Sequence, residues 1–194
     1  MVTDHAVVEA RLDAIGDDPA TTGERVGLLR MLGRLDEALD LAREHHAALL
    51  ATTRAAGGPG AGPAGGSGGD AADPRGEGEA ADVRATAAAI RLAHVHHWRA
   101  EHAVADALLT SALSHAGAHG HAELVGYALQ HRAKNRFDAG DLHGALADVT
   151  AALQHRRQHA LPADQVASSE QAYATIAEAF VRAFPDDPLP SSAV

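Results

Sequence analysis

Apolar residues recur at helical spacing along most of the chain. The first stripe consists of Val7, Val8, Leu12 and Ile15, and the second of Val26, Leu29 and Leu32. Further stripes cover residues 35–51, 83–98, 103–116, 123–139, 142–159 and 162–184. Between the last two of the paired helices, Gly140 supplies a helix stop and Asp141 an N-cap. Because no segment alternates apolar and polar residues between turn signals, the pattern predicts an all-α fold.

One segment, residues 55–80, breaks this pattern. It reads AAGGPGAGPAGGSGGDAADPRGEGEA and contains almost no large apolar residue. Such a segment buries too little surface to offset its ordering entropy, so we predict a disordered Gly/Pro-rich linker. We expect an N-terminal helix and a first helix pair over 1–54, two further pairs and a capping helix over 81–185, and a tail over 186–194.

Composition and charge narrow the range of functions. Hydrophobic residues make up 46% of the 194 residues and aromatic ones only 3%, and this alanine-rich composition suits closely packed helices. The formal net charge of −10 argues against binding to a nucleic-acid backbone. The chain has no cysteine, which excludes disulfides and thiolate metal sites. We expect a cytoplasmic protein, because neither a signal peptide nor an apolar run of membrane-spanning length is present.

Three segments repeat one pattern in the second helix of each predicted pair. They are GRLDEALDLA at 33–42, AEHAVADALLTSAL at 100–113 and GDLHGALADVTAAL at 140–153. A turn with the pattern Gly-Asp/Arg-x-x-x-Ala, followed by a large residue and then Ala-Leu, resembles tetratricopeptide repeats. The resemblance covers about three repeats, near 19–52, 86–119 and 126–159. It implies an antiparallel helix-pair solenoid whose first and last helices act as caps.

The resemblance also implies where paired helices cross. It assigns Ala105 and Ala145 to the crossing points on the second helices, and Ala93 and Ala133 to the small positions on the first helices. Ala145 follows Ala105 by 40 residues, whereas repeats of this family are about 34 residues long. We therefore expect an enlarged turn around residues 116–122.

In this family the first helices line a concave groove that binds peptides. The resemblance places in it Arg30, His94, His97, Trp98, Tyr127, Gln130, Lys134 and Phe137. Aromatic and cationic side chains are typical anchors of an interface. We therefore predict a non-enzymatic interaction module that binds a protein or peptide partner in this groove. The alternative for Trp98, Tyr127 and Phe137 is packing between helices.

One subclass of these repeats holds the C-terminal carboxylate of chaperones with Lys and Asn side chains. The matching positions here hold Gly23, Gly27, Arg91, Tyr127 and His131. Because this pattern of Lys and Asn is missing, we expect no binding of chaperone tails.

The 14 histidines raise an alternative function. His94 and His97 lie one helical turn apart, and His131 of the next repeat could join them as a metal ligand. The module would then be a regulator or sensor that binds a small ligand or metal through His-rich groove residues. Neither carboxylates at metal spacing nor an HExxH motif accompany these histidines, so we predict no metal site and no cofactor.

Signals for catalysis are weaker still. Residues 60–65 read GAGPAG, a literal GxGxxG, but they follow no strand and open no helix. The sequence has no GxSxG motif and no cysteine nucleophile. We predict that the protein is not an enzyme. The sequence leaves the identity of the partner and the oligomeric state open.

Overall fold

The computed structural model describes residues 4–56 and 74–189. The helices in these ranges are α1 His5–Ile15, α2 Thr22–Met31, α3 Leu35–Ala56, α4 Pro74–Trp98, α5 His102–Ala118, α6 Ala122–Asp138, α7 Leu142–Gln158 and α8 Ala163–Ala183. A short 3₁₀ turn, Pro19–Thr21, precedes α2. No strand occurs in the described ranges, which confirms the predicted all-α class for them.

Both ends of the segment predicted as a linker, 55–80, are helical. α3 continues to Ala56, and α4 begins at Pro74. Proline suits a first helical turn, and Glu77 in the same turn interacts favourably with the helix dipole. Residues 55–56 and 74–80 of the predicted linker are therefore helical, against the prediction of disorder, and the part over 57–73 lies outside the described residues.

The chain forms two compact units, and the division between them falls inside α4. The first unit ends at Arg91 and the second begins at Leu92.

Aspartate side chains cap the start of α1 and of the 3₁₀ turn in the first unit. The Asp4 carboxylate accepts a hydrogen bond of 3.1 Å from the Ala6 N–H, and Asp18 accepts one of 2.9 Å from Ala20. These bonds satisfy amides that have no partner inside a helix. α2 packs against α1 and α3. The buried apolar residues of these three helices are Val8, Leu12, Val26, Leu29, Ala38, Leu39 and Ala42.

The turns of the second unit recur every 20 residues. Each contains one residue with a left-handed backbone: Ala100, Gly120, Gly140 and Ala160, with φ of 57°, 74°, 83° and 49°. The amide of the following residue donates to the carbonyl five positions earlier, at 2.9, 2.9, 2.8 and 3.0 Å respectively. This arrangement satisfies carbonyls at the end of a helix. At one turn, Asp141 then accepts a 2.9 Å bond from Gly144, which confirms the predicted stop and cap.

The 40-residue spacing between Ala105 and Ala145 results from long helices. α5 and α6 each contain 17 residues, and only residues 119–121 separate them. This turn is no longer than the turns before α5 and α7. The prediction of an enlarged turn around 116–122 is therefore wrong, because the additional residues lengthen the helices instead.

Small residues lie where the helices of the second unit pack closely. Ala93, Ala105, Ala133 and Ala145 are each 0% exposed, as close approach of two helix backbones requires. Consecutive helices from α5 to α8 pack on each other, and α6 also contacts α8. The core of α6, α7 and α8 contains Ala133, Ala145, Leu146, Val149, Ile176, Ala177 and Phe180.

Candidate functional site

Four aromatic side chains form a continuous row on the second unit. Trp98 Nε1 donates to His94 Nε2 at 3.3 Å. The His94 ring lies 4.3 Å from the His131 ring, which lies 4.3 Å from Tyr127 (centroid distances). Trp98 and His94 are four residues apart on α4, as are Tyr127 and His131 on α6, so each pair shares one helix face. We call these four residues the aromatic row.

The two ends of the aromatic row face solvent. Trp98 is 50% exposed and Tyr127 40% exposed, whereas His131 is only 8% exposed. His94 and His131, in the middle of the row, fix the direction of the exposed rings, because rotation of Tyr127 or Trp98 would break the contacts of these rings with the histidines. Large aromatic rings held in place in this way are typical of interface anchors.

His97, which the sequence placed in the groove, connects two helices. Its Nε2 forms a hydrogen bond of 2.6 Å with Asp138 Oδ2, at the end of α6. The His97 side chain is 10% exposed, and its ring lies 5.8 Å from that of His102. His97 therefore joins the end of α4 to α5 and α6 and offers little surface to a partner.

A pocket of about 430 Å³ lies beside Tyr127, between α6, the end of α7 and the start of α8. Its lining includes Tyr127, Gln130, His131, Lys134, Arg156 and Ser168. Three of the predicted groove residues, Tyr127, Gln130 and Lys134, thus meet at one cavity. The acids Glu123 and Asp164 also line it, and both are exposed to solvent.

The buried polar side chains of Arg156 and Gln130 line this pocket, and Ser169, outside the lining, contacts both of them. Arg156 is 3% exposed, Gln130 5% and Ser169 0%. Arg156 Nη1 is surrounded by three acceptors: Gln130 Oε1, the Gln165 carbonyl at 2.6 Å and Ser169 Oγ at 2.7 Å. Gln130 also donates to Ser168 Oγ at 2.8 Å. Hydrogen bonds to α6 and α8 therefore fix the Arg156 guanidinium.

The sequence analysis missed Arg156, although the repeat contains a signal for it. A shift of 40 residues aligns Arg156 with Ala116, which is 0% exposed. An arginine at a position that the preceding repeat fills with a buried alanine predicts a buried cation. Gly126 permits this placement, because a Cβ at Gly126 would lie 3.1 Å from both Cγ and Nε of Arg156.

The remaining predicted groove residues lie elsewhere. Phe137 is half-buried and packs against the core of α6, α7 and α8, which is the helix-packing alternative stated for it. Arg30 lies on α2 in the first unit, whereas the aromatic row belongs to the second.

The histidines of the second unit do not assemble the metal site of the alternative function. Within the part of the chain that the structure describes, His94, His97 and His131 do not bring three ligand atoms close enough for one ion. Their rings instead pack on one another, with a His94–His97 centroid distance of 5.9 Å. The metal-binding form of the sensor hypothesis therefore has no support from this cluster.

Comparisons with family models, curated proteins and solved structures found no match. None of the described helices has both the length and the apolar content needed to cross a membrane.

Proposed function

We propose that the protein is a non-enzymatic interaction module that binds a peptide segment of a partner along the aromatic row and the adjoining pocket. The observation that carries the proposal is the placement of the exposed Trp98 and Tyr127 rings at the ends of a packed row. Tyr127 also borders a pocket of about 430 Å³. Rigid aromatic anchors beside a concavity provide most of the free energy in many peptide interfaces.

The arrangement of helices supports the same function. Consecutive helix pairs share a core and leave a surface on their first helices for a bound chain, as in tetratricopeptide repeats. The similarity to that family, including its peptide groove, belongs to this proposal. The helices of 17 residues make the second unit's repeat longer than that of the family.

The polar groups of the pocket support binding rather than catalysis. The Ser168 and Ser169 hydroxyls pair with Gln130 and Arg156. A nucleophilic serine requires a base such as histidine within hydrogen-bond distance, and neither hydroxyl has one. The pocket therefore has fixed donors and acceptors but no activated nucleophile at these serines.

The test is selection of peptides from a displayed random library on the immobilised protein. We expect Trp98→Ala combined with Lys134→Ala to weaken binding of the selected peptides by at least about tenfold, because anchor side chains each contribute more than about 1 kcal/mol. Far-UV circular dichroism should show unchanged helicity, since both side chains lie at the surface.

The matched control changes an exposed apolar residue and a cation elsewhere on the same unit. Val181 is 45% exposed, and Arg182 pairs with Glu178 at the surface of α8. Val181→Ala with Arg182→Ala should leave peptide binding unchanged. Equal affinity of the Trp98/Lys134 double variant and the wild-type protein would refute the proposed function.

A further inference from the structure

Arg156 is a buried cation that forms no salt bridge with a described carboxylate, although Asp164 lies near enough to interact with its charge. It is 3% exposed on the last turn of α7, and no described carboxylate lies within ion-pair distance of it. The neighbouring Arg157, by contrast, pairs with Glu170 at 2.9 Å. Burying a charge without a counter-ion is costly. The helix C-terminus offsets part of this cost, because its dipole favours a cation.

The donors of Arg156 are only partly used. All three of its hydrogen-bond contacts involve Nη1. Nε is buried and has no partner among the described residues, and Nη2 has no acceptor there either. Because Nε is enclosed by protein and lies against Gly126, it is not accessible to a ligand in the pocket. Nη2 is therefore the donor that can form a charge-assisted hydrogen bond with a carboxylate oxygen.

Space for an anion lies next to this guanidinium. Arg156 lines the pocket of about 430 Å³, and Lys134 adds a second cation to its lining. The exposed Glu123 and Asp164 add two negative charges. With the histidine neutral, the formal charges of these four residues cancel, which favours a singly charged group over a dianion. Solvent screens the exposed acids more than it screens the buried arginine.

We propose that this pocket binds a carboxylate of the partner peptide, with the Arg156 guanidinium as its hydrogen-bond donor. This inference rests on the proposed function for the source of the carboxylate, while the pocket and its unpaired arginine exist independently of it. The carboxylate comes either from an Asp or Glu side chain or from a free C-terminus, and both present the same two oxygens.

The first test follows the Arg156 Nε–H resonance in nitrogen-15 NMR spectra of the whole protein. Arg156→Lys assigns the signal by its loss. At constant ionic strength, sodium acetate should shift this resonance saturably, and inorganic phosphate should shift it less. An acetate shift that does not saturate, or one of equal size at the exposed Arg157, would show simple screening and overturn the inference.

The second test distinguishes the two sources of carboxylate. Acetyl-Gly-Glu-Gly-amide has only a side-chain carboxylate, acetyl-Gly-Gly-Gly acid has only a terminal one, and acetyl-Gly-Gln-Gly-amide has none. A saturable Arg156 shift with either of the first two supports the site and identifies its source. A shift with neither, or an equal shift with the glutamine peptide, overturns it.

The third test separates this inference from the proposed function. Among peptides selected from the random library, Arg156→Gln should lower the affinity for acidic ones by about tenfold, and Arg157→Gln should leave it unchanged. If Trp98→Ala with Lys134→Ala abolishes binding but Arg156→Gln does not, the peptide module stands and the carboxylate site is refuted. If acetate binds but no peptide is selected, the carboxylate site stands and the peptide module is refuted. The wild-type titrations decide the question even where a variant fails to fold.

Discussion

The buried polar side chains of the second unit differ in whether their charge is paired. Asp148, which is 5% exposed, accepts hydrogen bonds from Arg132 Nε at 2.8 Å and Nη2 at 2.7 Å. Arg136 Nη1 adds a third contact to Asp148 at 3.0 Å. Arg156 has no comparable acid. The arginines of the second unit therefore have different roles. Those that pair with Asp148 are structural, whereas Arg156, as proposed above, binds a ligand.

Removal of the Asp148 carboxylate should destabilise the protein strongly. Asp148→Ala leaves Arg132 partly buried without its acid, and loss of one partner of a buried pair costs about 3 kcal/mol. The free energy of unfolding measured in urea should fall by that amount. Asp106 is the control, since it pairs with Arg136 but is 33% exposed. Asp106→Ala should cost less than about 1 kcal/mol, and equal losses in the two variants would contradict this interpretation.

Two histidines on α3 should make the protein less stable in acid. Burial lowers the pKa of His45 and of His46, and nearby Arg91 lowers the pKa of His45 further. The unfolded chain then binds protons more readily than the folded one near the ordinary histidine pKa of about 6.5, so stability falls as the pH falls through that value.

The melting temperature should therefore drop between about pH 7.5 and about pH 5.5. His45→Gln combined with His46→Gln should reduce this drop, because the variant has lost the two groups that take up protons on unfolding. His159→Gln, at an exposed position after α7, serves as the control. A drop in the double variant as large as in the wild-type protein would exclude these histidines as its cause.

At the level of secondary-structure elements, the four turns of the second unit differ in the residue at their left-handed position. Two of them use alanine at the left-handed position, Ala100 and Ala160, where the other two use Gly120 and Gly140. A Cβ in this conformation costs about 1 kcal/mol, and glycine avoids the cost. The alanine turns thus fold against a local preference, which the packing of the helices on either side overcomes.

Ala100→Gly should therefore stabilise the protein by about 0.5–1 kcal/mol, measured as a shift of the urea midpoint at constant slope. The control is Ala139→Gly, one residue before a left-handed glycine, where φ is −77°. At that position glycine only adds flexibility to the unfolded chain, so the variant should be destabilised. If Ala100→Gly is also destabilised, the left-handed turn is not the strained feature that its φ indicates.

Helix boundaries show how much of each element was predictable. Gly140 and Asp141 were identified from sequence because a left-handed stop and an N-cap have distinct residue preferences. The start of α4 at Pro74 was missed, although proline in a first turn is a local signal, because the Gly/Pro-rich composition around it outweighed that signal. The end of α5 at Ala118 was placed too early because alanine and glycine near a helix end do not determine where it stops.

At the scale of the whole molecule, the second unit depends on α8 to cover the core of the last helix pair. Ile176 and Phe180 of α8 pack with Val149 and Leu146 of α7. An exposed core face is costly in stacked helix pairs, so a terminal helix has to cover it. The C-terminal helix is therefore a structural part of the stack and also one wall of the pocket beside Arg156.

Phe180→Ala should reduce the free energy of unfolding by about 3–4 kcal/mol, because it removes a buried ring and leaves a cavity. The neighbouring Val181, which is 45% exposed, provides the control. Val181→Ala should change stability by less than about 0.5 kcal/mol. Comparable losses in the two variants, measured by urea denaturation, would show that α8 does not cover the core in this way.

The sequence by itself determined that the described segments form helices, though not all of their boundaries, because periodicity, caps and stop signals act between residues within a few positions of one another. The candidate surface around Tyr127, Gln130 and Lys134 came from the resemblance of the sequence to a known repeat pattern. Only the tertiary structure decided that Phe137 packs in the core and that Arg156 is buried beside a pocket. Those outcomes depend on contacts between helices, from α8 for Phe137 and from both α6 and α8 for Arg156. Either side chain is compatible with a surface or a buried position until those neighbours are fixed.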